Sequence, residues 1–72
     1  MTPLEFGKLI REARKRAKLT QEELASAAGV GPRFLVELEA GKPTIQLGKA
    51  LRVAEMAGLE IKLPARGVKT WL

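Results

Sequence analysis

The 72-residue chain has no cysteine, no histidine and no tyrosine, and its aromatics are one tryptophan and two phenylalanines. Without cysteine there is no disulfide staple, and without cysteine or histidine the common zinc sites are excluded. No apolar run approaches the roughly 20 residues of a bilayer span, and no charged-then-apolar leader is read at its start. The expected location is therefore the cytoplasm, with no membrane partner. Catalytic groups are equally scarce. With no metal cluster and no glycine-rich phosphate loop, only scattered Lys, Glu and Ser remain, so the chain is read as a binding protein and not an enzyme, with no cofactor and no small-molecule ligand. A domain of this size buries only a modest core, so the fold rests on packing alone and a second copy is the obvious further source of stability.

What is present is positive charge. The formal net charge is +5, which suits a polyanionic partner without demanding one. Lys8, Arg11, Arg14, Lys15, Arg16 and Lys18 crowd the first helix and its exit, where Lys8 and Lys15 read as a solvated face. The next segment is acidic at its start, through Glu22 and Glu23, which complements a helix dipole.

Helix boundaries are written in local chemistry. Thr2-Pro3-Leu4-Glu5 is a capping box with proline at the first helical position, predicting a helix from about Pro3 to Ala17 with Phe6, Leu9, Ile10, Ala13 and Ala17 as its buried stripe. Thr20 and Glu23 form a second capping box that opens a helix at Gln21, and Gly29 closes it. Gly31 and Pro32 stand where an N-cap and first helical residue belong, and Gly41 ends that third helix. The inward residues are Leu24, Ala25 and Ala28 in the second helix, and Phe34, Leu35 and Leu38 in the third. Two short helices joined by such a turn cross steeply, a geometry that projects the second into a DNA major groove.

Pro43 forces the chain out of the helical path. Thr44 is the expected N-cap of a fourth helix from Ile45 or Gln46 to Ala57, facing inward with Leu47, Ala50, Leu51, Ala54 and Ala57. Gly48 has two readings there, close helix packing or close approach of a phosphate. After Gly58 the period changes to two: Leu59, Ile61 and Leu63 lie on one side, Glu60 and Lys62 on the other. This reads as one strand without a partner in the chain, satisfied by the same strand of a second copy, antiparallel about a two-fold axis. The domain plan is thus a DNA-binding unit at 1–58, a dimerising strand at 59–63 and a flexible tail at 64–72. Trp71 in that tail either tucks back on the dimer or fills a partner's pocket.

Ile10-Arg11-Glu12-Ala13-Arg14, Leu19-Thr20-Gln21-Glu22-Glu23-Leu24-Ala25, Gly29-Val30 and Leu38-Glu39-Ala40-Gly41-Lys42 together resemble the lambda-repressor-like (Cro/C1, or XRE-type) helix-turn-helix family, over about Phe6 to Gly58. The resemblance implies an all-α domain of four to five short helices, with the C-terminal strand pairing across a homodimer. Glu39-Ala40-Gly41-Lys42-Pro43-Thr44, followed by a helix and Leu59-Glu60-Ile61-Lys62-Leu63, is similar to the HipB-like antitoxins. That likeness implies a repressor of its own operon that binds a HipA-like serine/threonine kinase toxin, with Trp71 as the candidate docking residue, although this tail is shorter than in the longer relatives. A stand-alone or phage-type regulator without a toxin, or a toxin-neutralising interaction module, are the alternatives.

Particular residues take expected roles on double-stranded DNA bearing an inverted-repeat operator. Gln21, at the second helix's first position, can donate to a phosphate, as the family's glutamine does. Arg33, in the first turn of the third helix, can reach guanine O6 and N7. Glu37, one turn on, can accept from cytosine N4, orient Arg33, or face solvent. Gly31 and Pro32 lack side-chain donors, leaving apolar contact to a thymine methyl from Pro32 and a larger share for DNA shape. Lys42 and Thr44 are placed either for phosphate or simply as turn residues. The resemblance also implies that Arg14 and Glu39 form a structural ion pair holding the recognition helix at its angle.

Overall fold

The computed structural model describes residues 1–61, which form four helices: α1 Pro3–Arg16, α2 Gln21–Ala28, α3 Pro32–Glu39 and α4 Leu47–Met56. Both capping boxes form. Thr2 Oγ1 accepts from the Glu5 amide at 3.1 Å while the Thr2 amide donates to Glu5 Oε1 at 2.8 Å, and Thr20 and Glu23 repeat the exchange at 3.0 and 2.8 Å. The hydrogen bonds from the Thr2 backbone and side chain hold the Glu5 carboxyl below its ordinary pKa.

All four helices end in the same way. An amide just past each helix donates five residues back across the last turn: Leu19 to the Arg14 carbonyl, Val30 to Ala25, Lys42 to Glu37 and Leu59 to Ala54. This closure requires a left-handed residue immediately before the donor. Gly29 supplies it with φ of 71° and Gly41 and Gly58 with 85° each, but after α1 the position falls to Lys18, at φ 61°. Gly41 is constrained twice over, because a Cβ there would lie 2.8 Å from the Leu4 Cα.

The core is formed by Ile10 and Ala13 of α1, Leu24, Ala25 and Ala28 of α2, Leu35 and Leu38 of α3, and Ala50, Val53, Ala54 and Ala57 at α4. Phe6, Leu19, Val30, Phe34, Ile45 and Leu59 pack against its edge. Helix α2 packs on α3 and α4, and α1 packs on α3. Where α1 crosses α3 there is room only for glycine: a Cβ on Gly7 would collide with the Leu38 carbonyl oxygen and stand 2.7 Å from that of Glu39.

Several expectations are corrected. Helix α1 ends at Arg16, and Leu9 within it and Ala17 at its C-cap are exposed and outside the core. Helix α4 starts at Leu47 with Gln46 as an N-cap that makes no side-chain bond, so Thr44 does not cap it. Its inward face is also rotated. Val53 is fully buried, whereas Leu47 and Leu51 are 68% and 42% exposed. The physical reason is the partner surface: α4 packs on α2, whose buried residues include Ala25 and Ala28, and close approach of the two helices favours the alanine side of α4 over its leucines. Gly48 has no neighbour within 4 Å of a Cβ position, so close helix packing does not account for it.

Among the described residues there is no strand. The Leu59 amide, which a ladder would require, is spent on the Ala54 carbonyl at 2.9 Å to close α4. Leu59 packs on the core edge while Ile61 is 49% exposed. Leu63 and Trp71, with the tail at 64–72, lie outside the described residues.

Candidate nucleic-acid interface

Helix α3 turns Leu35 and Leu38 inward, which leaves Pro32, Arg33, Val36 and Ala40 facing solvent. Arg33 projects freely, with its side chain 91% exposed. Its Nε lies 3.8 Å from Glu37 Oε2, and Lys42 Nζ donates to that same oxygen at 3.2 Å. Glu37 therefore joins the base-reading candidate of α3 to the cation of the following loop. Surface pairs of this kind are worth about 0–1 kcal/mol, so the link biases the arginine's position without immobilising it. Gly31 and Pro32 are exposed at the start of α3, and Thr44 is exposed in the loop beyond Lys42.

Behind this face lies a nearly dry anchor. Arg14 Nε donates to Glu39 Oε2 at 2.7 Å and Nη2 to Oε1 at 3.2 Å, with side-chain exposures of 11% and 5%. Arg14 Nη1 also donates to the Leu19 carbonyl at 2.8 Å, tying the same guanidinium to the α1–α2 turn. Bidentate geometry of this sort fixes orientation as well as charge. Gln21 completes the cluster: its Nε2 donates to Glu39 Oε1 at 3.1 Å. A carboxamide carries two N–H donors, so one remains for a phosphate at the N-terminus of α2. The glutamine expected to face DNA thus also braces the end of α3, a contact across 18 residues of chain that no local pattern reveals.

Other residues of this surface were given no role by the sequence. Arg11 and Val36 line an open cleft of about 360 Å³ together with Arg14, Gln21, Glu39 and Ala40. Lys49, near the start of α4, holds its ammonium 5.9 Å from the centre of the Phe34 ring, adding a cation close to α3. Arg11 stands in the basic run of the first helix and in the family-like stretch Ile10 to Arg14, but neither assigned it a place on this surface. No helix among the described residues is long and apolar enough to cross a membrane.

A short helix pair with a tight turn, the second helix braced from behind and offering an exposed arginine, defines a helix-turn-helix domain. Residues 10–63 match the helix-turn-helix family, and the chain belongs to it, in the Cro/C1 (XRE) type. An uncharacterized HTH-type transcriptional regulator, y4mF, of Sinorhizobium fredii is 53% identical over 66 residues, covering 92% of this chain and 87% of its own. An uncharacterized HTH-type transcriptional regulator of Methanothermobacter thermautotrophicus is 46% identical over 52 residues, 72% of this chain and 75% of its own. The endothelial differentiation-related factor 1 homolog of Danio rerio is 39% identical over 67 residues, 86% of this chain but 46% of its own length.

Proposed function

We propose that this chain is a sequence-specific DNA-binding transcriptional repressor that works as a homodimer and by binding alone, without a catalytic step. The observation that carries the reading is α3 itself: a helix locked to the body by Glu39 while Arg33 stands 91% exposed in its first turn. Two relatives named as HTH-type transcriptional regulators support the regulatory part. Gln21, Lys42 and Thr44 take phosphates; Arg33 reads a base edge, with Glu37, Pro32 and Gly31 beside it. The open space around Gly48, one residue inside the start of α4, favours close approach of a phosphate there too.

Support for the dimer comes from the apolar residues left outside the core along α4 and beyond it, Leu47, Leu51 and Ile61. In this reading the chain beyond Leu59, through Ile61 and Leu63, meets its two-fold mate as an antiparallel pair, while Leu59 stays on its own core edge. Two α3 helices related in this way require half-sites about 10 bp apart, or a multiple of that. The test is enrichment of duplexes from a random pool by the purified chain. Inverted repeats are expected, and Arg33→Ala costs about 1–3 kcal/mol while relaxing one position per half-site. Failure to enrich any sequence overturns the reading, and equal loss on enriched and random DNA assigns Arg33 to the backbone.

The likeness of Glu39 to Thr44 and of Leu59 to Leu63 to HipB-like antitoxins supports a finer proposal. The repressor also neutralises a HipA-like kinase, with Trp71 as an anchor. A purified HipA-like kinase is then bound more weakly by a chain lacking 65–72 while DNA binding persists, and unchanged kinase affinity removes Trp71 from that role.

A further inference from the structure

We infer that Val36 is a specificity-determining residue of this surface, seated against the 5-methyl group of a thymine in the major groove. The inference rests on the DNA-binding reading above. At about 100° of rotation per residue, Val36 lies roughly 60° around α3 from Arg33, and both point away from the side that Leu35 and Leu38 bury. Its exposure is 48%, so it contributes little to the core. Its β-branch, if anything, opposes helix formation. A polar side chain would serve a purely solvated position better.

The surroundings select the ligand. Pro32 and Ala40, one turn to either side of Val36, are exposed and offer no side-chain donor or acceptor. In the cleft beside them, Arg11 and Gln21 supply the groups that suit phosphate, while Val36 supplies the apolar wall. Charge on both sides, from Arg11 and Arg33, would hold a polyanion against this wall. Every base edge in the major groove presents polar atoms, and thymine alone adds a methyl group. A side chain with neither donor nor acceptor can recognise only that group favourably, and it leaves the polar edges of the other bases unsatisfied.

The probe is the duplex enriched by the wild-type chain, with each thymine replaced in turn by uracil, which removes the methyl and nothing else. Affinities are measured by fluorescence anisotropy at fixed salt. At one thymine per half-site, the wild-type protein should lose about three- to fivefold, the value of one buried methyl-sized group. Val36→Ala should bind the thymine and uracil duplexes equally, and Val36→Ile should restore discrimination. Arg33→Ala should weaken binding yet keep the thymine-to-uracil ratio at that position. An enriched site without a methyl-sensitive thymine, or a ratio unchanged in Val36→Ala, overturns the assignment of Val36 alone. Failure to enrich any duplex overturns the DNA-binding reading and this one with it. Circular dichroism of the variants excludes a folding defect, which an exposed valine should not cause.

Discussion

At Gly7 one missing methyl group sets how closely α1 and α3 meet. Alanine is favoured over glycine within a helix by about 0.5–1 kcal/mol, so Gly7→Ala would stabilise an exposed helix. Here its Cβ would strike the carbonyl oxygens of Leu38 and Glu39, which are backbone atoms that cannot rotate aside. Overpacking costs about 1–3 kcal/mol and exceeds the propensity gain. Thermal denaturation of Gly7→Ala should therefore give a lower midpoint; a higher one would mean that α3 yields easily. Lys18 has the opposite sign. It occupies the left-handed region at φ 61°, where a side chain costs roughly 1–2 kcal/mol. Glycine removes that strain but adds freedom to the unfolded chain. Lys18→Gly should stabilise the domain by about 0.5–1 kcal/mol, raising the melting temperature by several degrees for a chain of this size.

Among the elements, α3 depends most on a contact outside itself. Its N-cap, Gly31, makes no side-chain bond, and its orientation rests on the cluster of Arg14, Gln21 and Glu39. Removing one member of a buried ion pair costs about 3–5 kcal/mol, because the other charge is stranded, whereas replacing both with apolar residues of similar size is often neutral. Glu39→Ala should thus bring the domain close to unfolding in urea titrations. Joint replacement, Arg14→Met with Glu39→Leu, should recover most of the stability. The paired variant should nonetheless bind DNA less well, since Gln21 loses its acceptor and α3 its brace. Recovery of stability and DNA affinity together would show that packing alone aims the helix.

For the whole molecule, the proposed dimer assigns assembly to the face bearing Leu51, Leu59 and Ile61. Ile61→Pro removes a backbone donor and a half-exposed apolar side chain at once. Light scattering should then report monomers, with the helical spectrum kept because α1 to α4 end before this residue. A dimer that survives the change rules out pairing through this segment. Most limits of the four helices were legible in the sequence because they are fixed by groups three to six residues apart; the start of α4, where Gln46 replaces the expected Thr44 without a side-chain bond, was not. Thr2 with Glu5 and Thr20 with Glu23 open two helices, and Gly41 and Gly58 sit where two others close. The bracing pair of Arg14 and Glu39 was reached by resemblance, not by local chemistry. What the sequence alone left undetermined concerns surfaces that meet through space. Which side of α4 turns inward depended on its packing against α2, not on the size of its own leucines. The closeness of Gly7 to Leu38, the bond from Gln21 to Glu39 and the seat of Val36 beside Arg11 join residues distant in the chain. Local periodicity carries no information about such distances; they exist only once the helices have packed.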